Sequence, residues 1–240
     1  MAEPTSARPY DKAYNLAVEK LASANLEDVA FNSSVQLEGD ALKLNFLGEI
    51  FQAAEKGKKI YRTHSPEEVK IAEKIIILHY LITADGTPPA PQQVAFPDIP
   101  GSAFYYPTFK ARTMDLLERV FQSVPTADPP ECGNEVTRFL VISERLGARI
   151  EPTALAPGVN HGSAQFLALP NVPITLLYWS GAEQLPPTSQ ILYNANITHY
   201  LPLEDIVVIT ELLVHKIIKK AKETSNPMLY RGDGHLYEHT

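Results

Sequence analysis

Seven histidines, one cysteine and 28 carboxylates are the side chains from which this chain could build chemistry. His161, in "GVNHGS", and His199, in "ITHYLP", fall in predicted loops, where an imidazole titrating near neutral pH can act as acid–base group or ligand. Neither has a partner fixed by spacing. Glu183 is the acid closest in sequence to the turn after Trp179, while Glu204 and Asp205 are accounted for by a helix N-terminus. His79 sits inside "IIILHYLI", and a lone histidine on an apolar helix ordinarily donates to a structural acceptor. His235 and His239 flank Glu238 at helical spacing, but Gly232 and Gly234 make a helix hard to start there. Cys132 lies near a predicted helix start, and Glu131 beside it offsets any lowering of the thiol pKa by the dipole. One cysteine excludes an internal disulfide and an all-cysteine zinc or iron–sulfur site, so no structural metal is expected.

The chain contains no GxGxxG, GxxxxGK[ST], GxSxG, HExxH or paired CxxC, which removes the common nucleotide, hydrolase and metalloprotease readings. What stands out is "LLYWSGAEQLPPTSQILYN", residues 176–194. A fully apolar strand delivers Trp179 to its end and then turns through Ser180 and Gly181. That puts aromatic surface at the rim of a sheet, where ligand sites are common. Phe104, Tyr105 and Tyr106, in "GSAFYY", can supply further rings. The competing reading is an indole that only anchors the Pro186-Pro187 loop.

Several elements are needed to hold these groups. Tyr14, Ala17, Val18 and Leu21 mark one helical face over 11–25. "VQLEGDALKLNF" alternates around Gly39-Asp40 and predicts a hairpin, extended by "EIFQAA" and "KKIYR". Ser65, Pro66 and Glu68 predict a helix start, and the apolar run Ile75–Ile82 predicts a buried central helix. Three prolines make "ADGTPPAPQQ" an extended loop. Helices follow from about Pro107 and over about 131–146, the second stopped by Gly147. "AQFLAL" and "PITLLYW" predict strands; the second lacks alternation, which implies burial on both faces. The last helix runs from about Leu203 to Lys222, with Ile206, Ile209, Leu213 and Ile217 on one face. Strands, then helices, then strands predict one α+β domain over 11–223, with a mostly antiparallel sheet, a buried central helix and flanking helices. Residues 1–10 and 224–240 are predicted as polar tails.

Composition narrows the function classes. With 45% hydrophobic residues over 240 positions the chain can bury a sizeable core. A net charge of −7 argues against nucleic acid. The basic run Lys216, Lys219, Lys220 and Lys222 serves a helix C-terminus. No signal peptide and no membrane span are read, so a soluble cytoplasmic protein is expected.

"ILHYLITADGTP", "FPDIPGSAFYYPTF" and "LPNVPITLLYWSGAEQLPPTSQILYNANITHYLPLEDIVVI" together resemble the domain-of-unknown-function family 3786, from about Leu16 to Ile217. The resemblance implies a setting in anaerobic bacteria and archaea. Some members carry an attached iron–sulfur domain of the type found in corrinoid methyl-transfer proteins, which implies a small-molecule, corrinoid or iron–sulfur protein partner. Against the family pattern, Ala182, Glu183 and Gln184 stand in place of an acidic run. Asn194 stands for an aspartate and Ser163 for an acid. A carboxylate-rich cation site would be impaired by these replacements.

Three readings follow. The first is a binding or accessory protein whose ligand, of unknown identity, or whose partner contacts the Trp179 region. The second is an enzyme using His161 or His199 with Glu183, and the third a protein–protein adaptor. For the first, Trp179, Glu183, Asn194 and His199 are expected around one concavity reached by Tyr105 or Tyr106. The ground is that only about two dozen residues separate Trp179 from the helix near Leu203.

Overall fold

In the computed structural model, residues 9–123, 134–150, 160–181 and 185–224 are described. Cys132, the His235–His239 pair, the Ala182–Gln184 run with Glu183, and the predicted tails except residues 9, 10 and 224, which are helical, lie outside those residues.

Helix α1 (Pro9–Ser23) buries Ala17 and Leu21, as the periodicity predicts. Asn25 Oδ1 caps α2 (Leu26–Ser33) by accepting from the N–H groups of Glu27 (2.8 Å) and Asp28 (3.4 Å). The predicted hairpin opens a four-stranded antiparallel meander, β1 (Gln36–Glu38), β2 (Ala41–Phe46), β3 (Glu49–Ala54) and β4 (Lys59–Arg62). Glu38 pairs with Ala41 across Gly39-Asp40, and Gly39 takes φ 66°, a conformation glycine adopts without strain.

Helix α3 spans Ile71–Thr83, later than Ser65 signals. Ser65 Oγ accepts only from Glu67 N–H, at 3.3 Å, in a local turn. The start is set instead by Glu73, whose carboxylate accepts from Lys70 N–H at 2.9 Å and from Arg62 at 2.7 Å. The expected central burial holds: Ile75, Ile76, Ile77, Leu78, Tyr80 and Leu81 are all buried, with α1, α2 and α7 (Leu203–Thr224) packed around them.

A second antiparallel sheet has the order β5-β9-β8-β7-β6: β5 (Gln93–Ala95), β6 (Arg149–Ile150), β7 (His161–Leu169), β8 (Val172–Trp179) and β9 (Thr188–Asn194). Strands β5, β6 and β9 are additional to the predicted ones. Helices α4 (Tyr106–Arg112), α5 (Met114–Ser123) and α6 (Glu135–Arg145) follow the predicted helical stretches, with a break at Thr113 and Gly147 ending the last at φ 87°. On the inner face of this sheet, Ile174, Leu176 and Tyr178 have no exposed surface. Tyr178 stacks on Phe139 of α6 (5.4 Å) and meets Phe121 of α5 edge-on (5.7 Å). The other face differs from the expectation for "PITLLYW": Pro173 and Leu177 are half-buried and Trp179 is 36% exposed. Leu47 N–H donates to Ala168 O at 2.9 Å, linking the two sheets where β2 ends beside β7. The fold is α+β, built on two antiparallel sheets and a buried central helix.

Candidate functional site

Alternation along β8 sends Tyr178 inward and Trp179 outward. Tyr178 donates its hydroxyl to Glu135 at 3.1 Å, and burial together with that carboxylate pushes its pKa up, so it stays a protonated core anchor. Trp179 instead ends the strand at the surface. The registers His161↔Trp179 and Trp179↔Thr188 set these three side chains in a row on the outer face. His161 therefore lies on a strand rather than in the loop expected for it. Ser180 fixes the exit of the strand: its N–H (2.9 Å) and hydroxyl (3.3 Å) both donate to Asn160 O. Gly181 then turns so tightly that a Cβ there would lie 2.6 Å from Leu185 O. The result is an open depression of about 460 Å³ lined by Trp179, Ser180, Leu185, Pro186 and Thr188. Trp179 itself keeps 36% of its surface exposed, and Leu185 73%.

The expected single concavity does not form. Seven of the residues between Trp179 and Leu203 make β9, which runs back along β8. Thr188 stands beside Trp179, and Asn194 is six residues farther, about 20 Å along the strand at roughly 3.3 Å per residue. Asn194 and His199 belong to a different structure at that far end. Asn194 Nδ2 donates to Ala90 O, Asn196 Oδ1 accepts from Ala90 N–H (2.8 Å), and Asn196 Nδ2 donates to Pro88 O (2.9 Å). Tyr200 donates its hydroxyl to Thr87 O, and His199 Nδ1 meets Asp85 Oδ2 at 2.6 Å. Residues 194–200 thus strap the proline loop 85–91. The Thr87 hydroxyl and N–H, then the His199 imidazole, hold the Asp85 carboxyl down at about 2.

Tyr105 and Tyr106 do not reach Trp179 either. Tyr105 donates its hydroxyl to Glu204 Oε1 at 2.6 Å, which lowers the Glu204 pKa. Tyr106 borders a small cavity of about 60 Å³ with Phe96, Pro97 and Phe109. Ser163 is outward on β7, opposite Leu177.

His79 on α3 meets Asp205, in the first turn of α7, at 2.5 Å between Nδ1 and Oδ2. An ionised carboxylate only accepts, so Nδ1 carries the proton and Nε2 is the other ring nitrogen. The Asp205 side chain is 9% exposed and that of His79 24%. The Tyr105–Glu204 pair adjoins it in sequence through Glu204. The apolar helix around His79 did signal a structural acceptor, but nothing in the spacing named Asp205, 126 residues away. Among the described residues no group of three or more His, Cys, Asp or Glu could hold a metal ion, and no helix is long and apolar enough to cross a membrane.

Fold and site together define an α+β protein with an aromatic depression at one end of its five-stranded antiparallel sheet and His–Asp pairs elsewhere. A family model described as domain of unknown function (DUF3786) matches residues 25–127 and 131–216, and the chain belongs to that family. No curated protein and no solved structure matches the chain.

Proposed function

We propose that this chain is a binding or accessory protein whose ligand or partner contacts the depression beside Trp179. The observation that carries the reading is the state of the sole tryptophan. It closes a strand whose inward side chains are fully buried, yet it stands 36% exposed in an open hollow with Leu185 and Pro186. His161 and Thr188 add polar groups in register with it, as binding sites with an apolar floor and a few placed polar groups require. Residues 11–223 act as one domain in this reading, in the cytoplasm. The family resemblance is what supports a place beside corrinoid or iron–sulfur metabolism in an anaerobe.

The test is native mass spectrometry, with an absorption spectrum, on protein purified anaerobically from its own host. A bound small molecule, chromophore or chain of a different protein is expected. A bare chain would overturn the reading.

A second reading is favoured by one specific observation, the His79–Asp205 pair. A carboxylate on Nδ1 orients an imidazole for proton transfer at Nε2. An acid–base enzyme would then work at α3 and the start of α7, rather than through His161 or His199 with Glu183.

A further inference from the structure

Strand β8 is apolar toward both faces, but among the described residues helices cover only one. Inward, Ile174, Leu176 and Tyr178 are fully buried under α5 and α6. Outward, Pro173, Leu177 and Trp179 form a ridge interrupted only by Thr175. Leu167 on β7, 49% exposed, and Leu192 on β9 widen it. Near-continuous apolar strands belong to sheets covered on both sides. Among the described residues, the helices that pack on this sheet do so from the inner side: Leu140 of α6 meets Gly162, and Glu118 of α5 binds Ser189.

Charge narrows the choice of cover. Registers across the five strands assign every outward position, and none of them is Asp or Glu. The only ionisable residues among them are Arg149 and His161. The chain as a whole carries 28 acids and a net charge of −7, so two copies repel each other over most of their surface. At these described strand positions two copies can meet without setting carboxylate against carboxylate. A strongly charged partner would find no complementary charges on it. Depletion of charge around leucine, tryptophan and amide side chains is also the composition of an interface core.

We propose that a second copy of this chain covers the outer face of the five-stranded sheet, centred on Leu177, in a two-fold dimer. A neutral face is complementary to itself, and two-fold pairing of identical patches is the commonest closed assembly. The pairing adds a sheet-on-sheet layer that gives the outward side of β8 the burial its composition calls for. This goes beyond the Trp179 reading: a dimer that carries no ligand, or a monomer that does, separates the two.

Sedimentation equilibrium of the full chain, from about 1 to about 300 µM, tests it. The wild type is expected at twice the 26.6 kDa of one chain. Leu177→Glu places an acid at the centre of the face and is expected to weaken association more than about tenfold. Ser163→Asp, directly opposite Leu177 on β7, is a smaller change and keeps the test informative if the first variant folds poorly. Circular dichroism of each variant is expected to match the wild type. A wild type that stays monomeric over the range overturns the proposal, including the case in which a different protein is captured on this face. So does a dimer that both folded variants leave intact.

Discussion

Trp179 and Asn194 stand at opposite ends of β9, Trp179 in register with Thr188 at its start and Asn194 as its last residue, on the same outer face of one sheet. That relationship divides the molecule's polar features into separate groups. His161 and Thr188 accompany the tryptophan, whereas Asn194 and His199 hold the proline loop. A site drawn around all of them has no geometric basis, and each group makes its own prediction.

Asp205→Ala is expected to cost about 1–3 kcal/mol in urea denaturation, because it leaves Nδ1–H of His79 without its buried acceptor. It also removes an acid from the first turn of α7, where the helix dipole favours one. If the second reading is correct, His79→Gln abolishes activity while costing less stability than Asp205→Ala. A variant of Asp205 as stable as the wild type would contradict the pairing.

The Asp85 carboxyl, held first by the Thr87 hydroxyl and N–H and then by His199, predicts a pH dependence. Asp85 has a folded pKa of about 2, below its unfolded value, so its contribution is fully present above about pH 4 and is lost as pH falls toward 2. Thermal melts between pH 5 and 2 on wild type and Asp85→Asn check this. The variant is expected to show a flatter decline, and parallel curves would refute the assignment.

Asn196→Ala removes both the acceptor for Ala90 N–H and the donor to Pro88 O. Faster amide exchange is expected at Ala90 and its neighbours, with protection of the buried α3 segment unchanged. Uniform loss of protection would mean that the strap supports the whole fold.

Gly162→Ala would bring a Cβ within 2.9 Å of three Leu140 side-chain atoms, Leu140 being fully buried. Overpacking of about 1–3 kcal/mol is expected, read as a lower urea midpoint with an unchanged slope. An unaltered midpoint would show that α6 can shift away from β7.

These contrasts also mark how far the residues alone could lead. The meander, the buried α3 and the face of α7 carry strong local patterns, so pattern and structure agree. "TSQILYN" alternates too, but it is short and follows two prolines; as a strand rather than a return loop it carries Asn194 and His199 away from Trp179. Ser65-Pro66 is a good local cap signal that lost to Glu73, because Arg62 on β4 fixes that carboxylate through a tertiary contact. The His79–Asp205 and His199–Asp85 pairs each span more than a hundred positions, and no periodicity encodes them.

The most direct measurement for the account is made on Trp179→Ala, purified anaerobically from the native host beside the wild type. Native mass spectrometry reads the bound species, and a thermal melt reads stability. If the depression is a binding site, the variant loses the species carried by the wild type while its melting temperature stays nearly unchanged. A variant that keeps the bound species, or that loses the roughly 3–5 kcal/mol expected of a packed core aromatic, would contradict it.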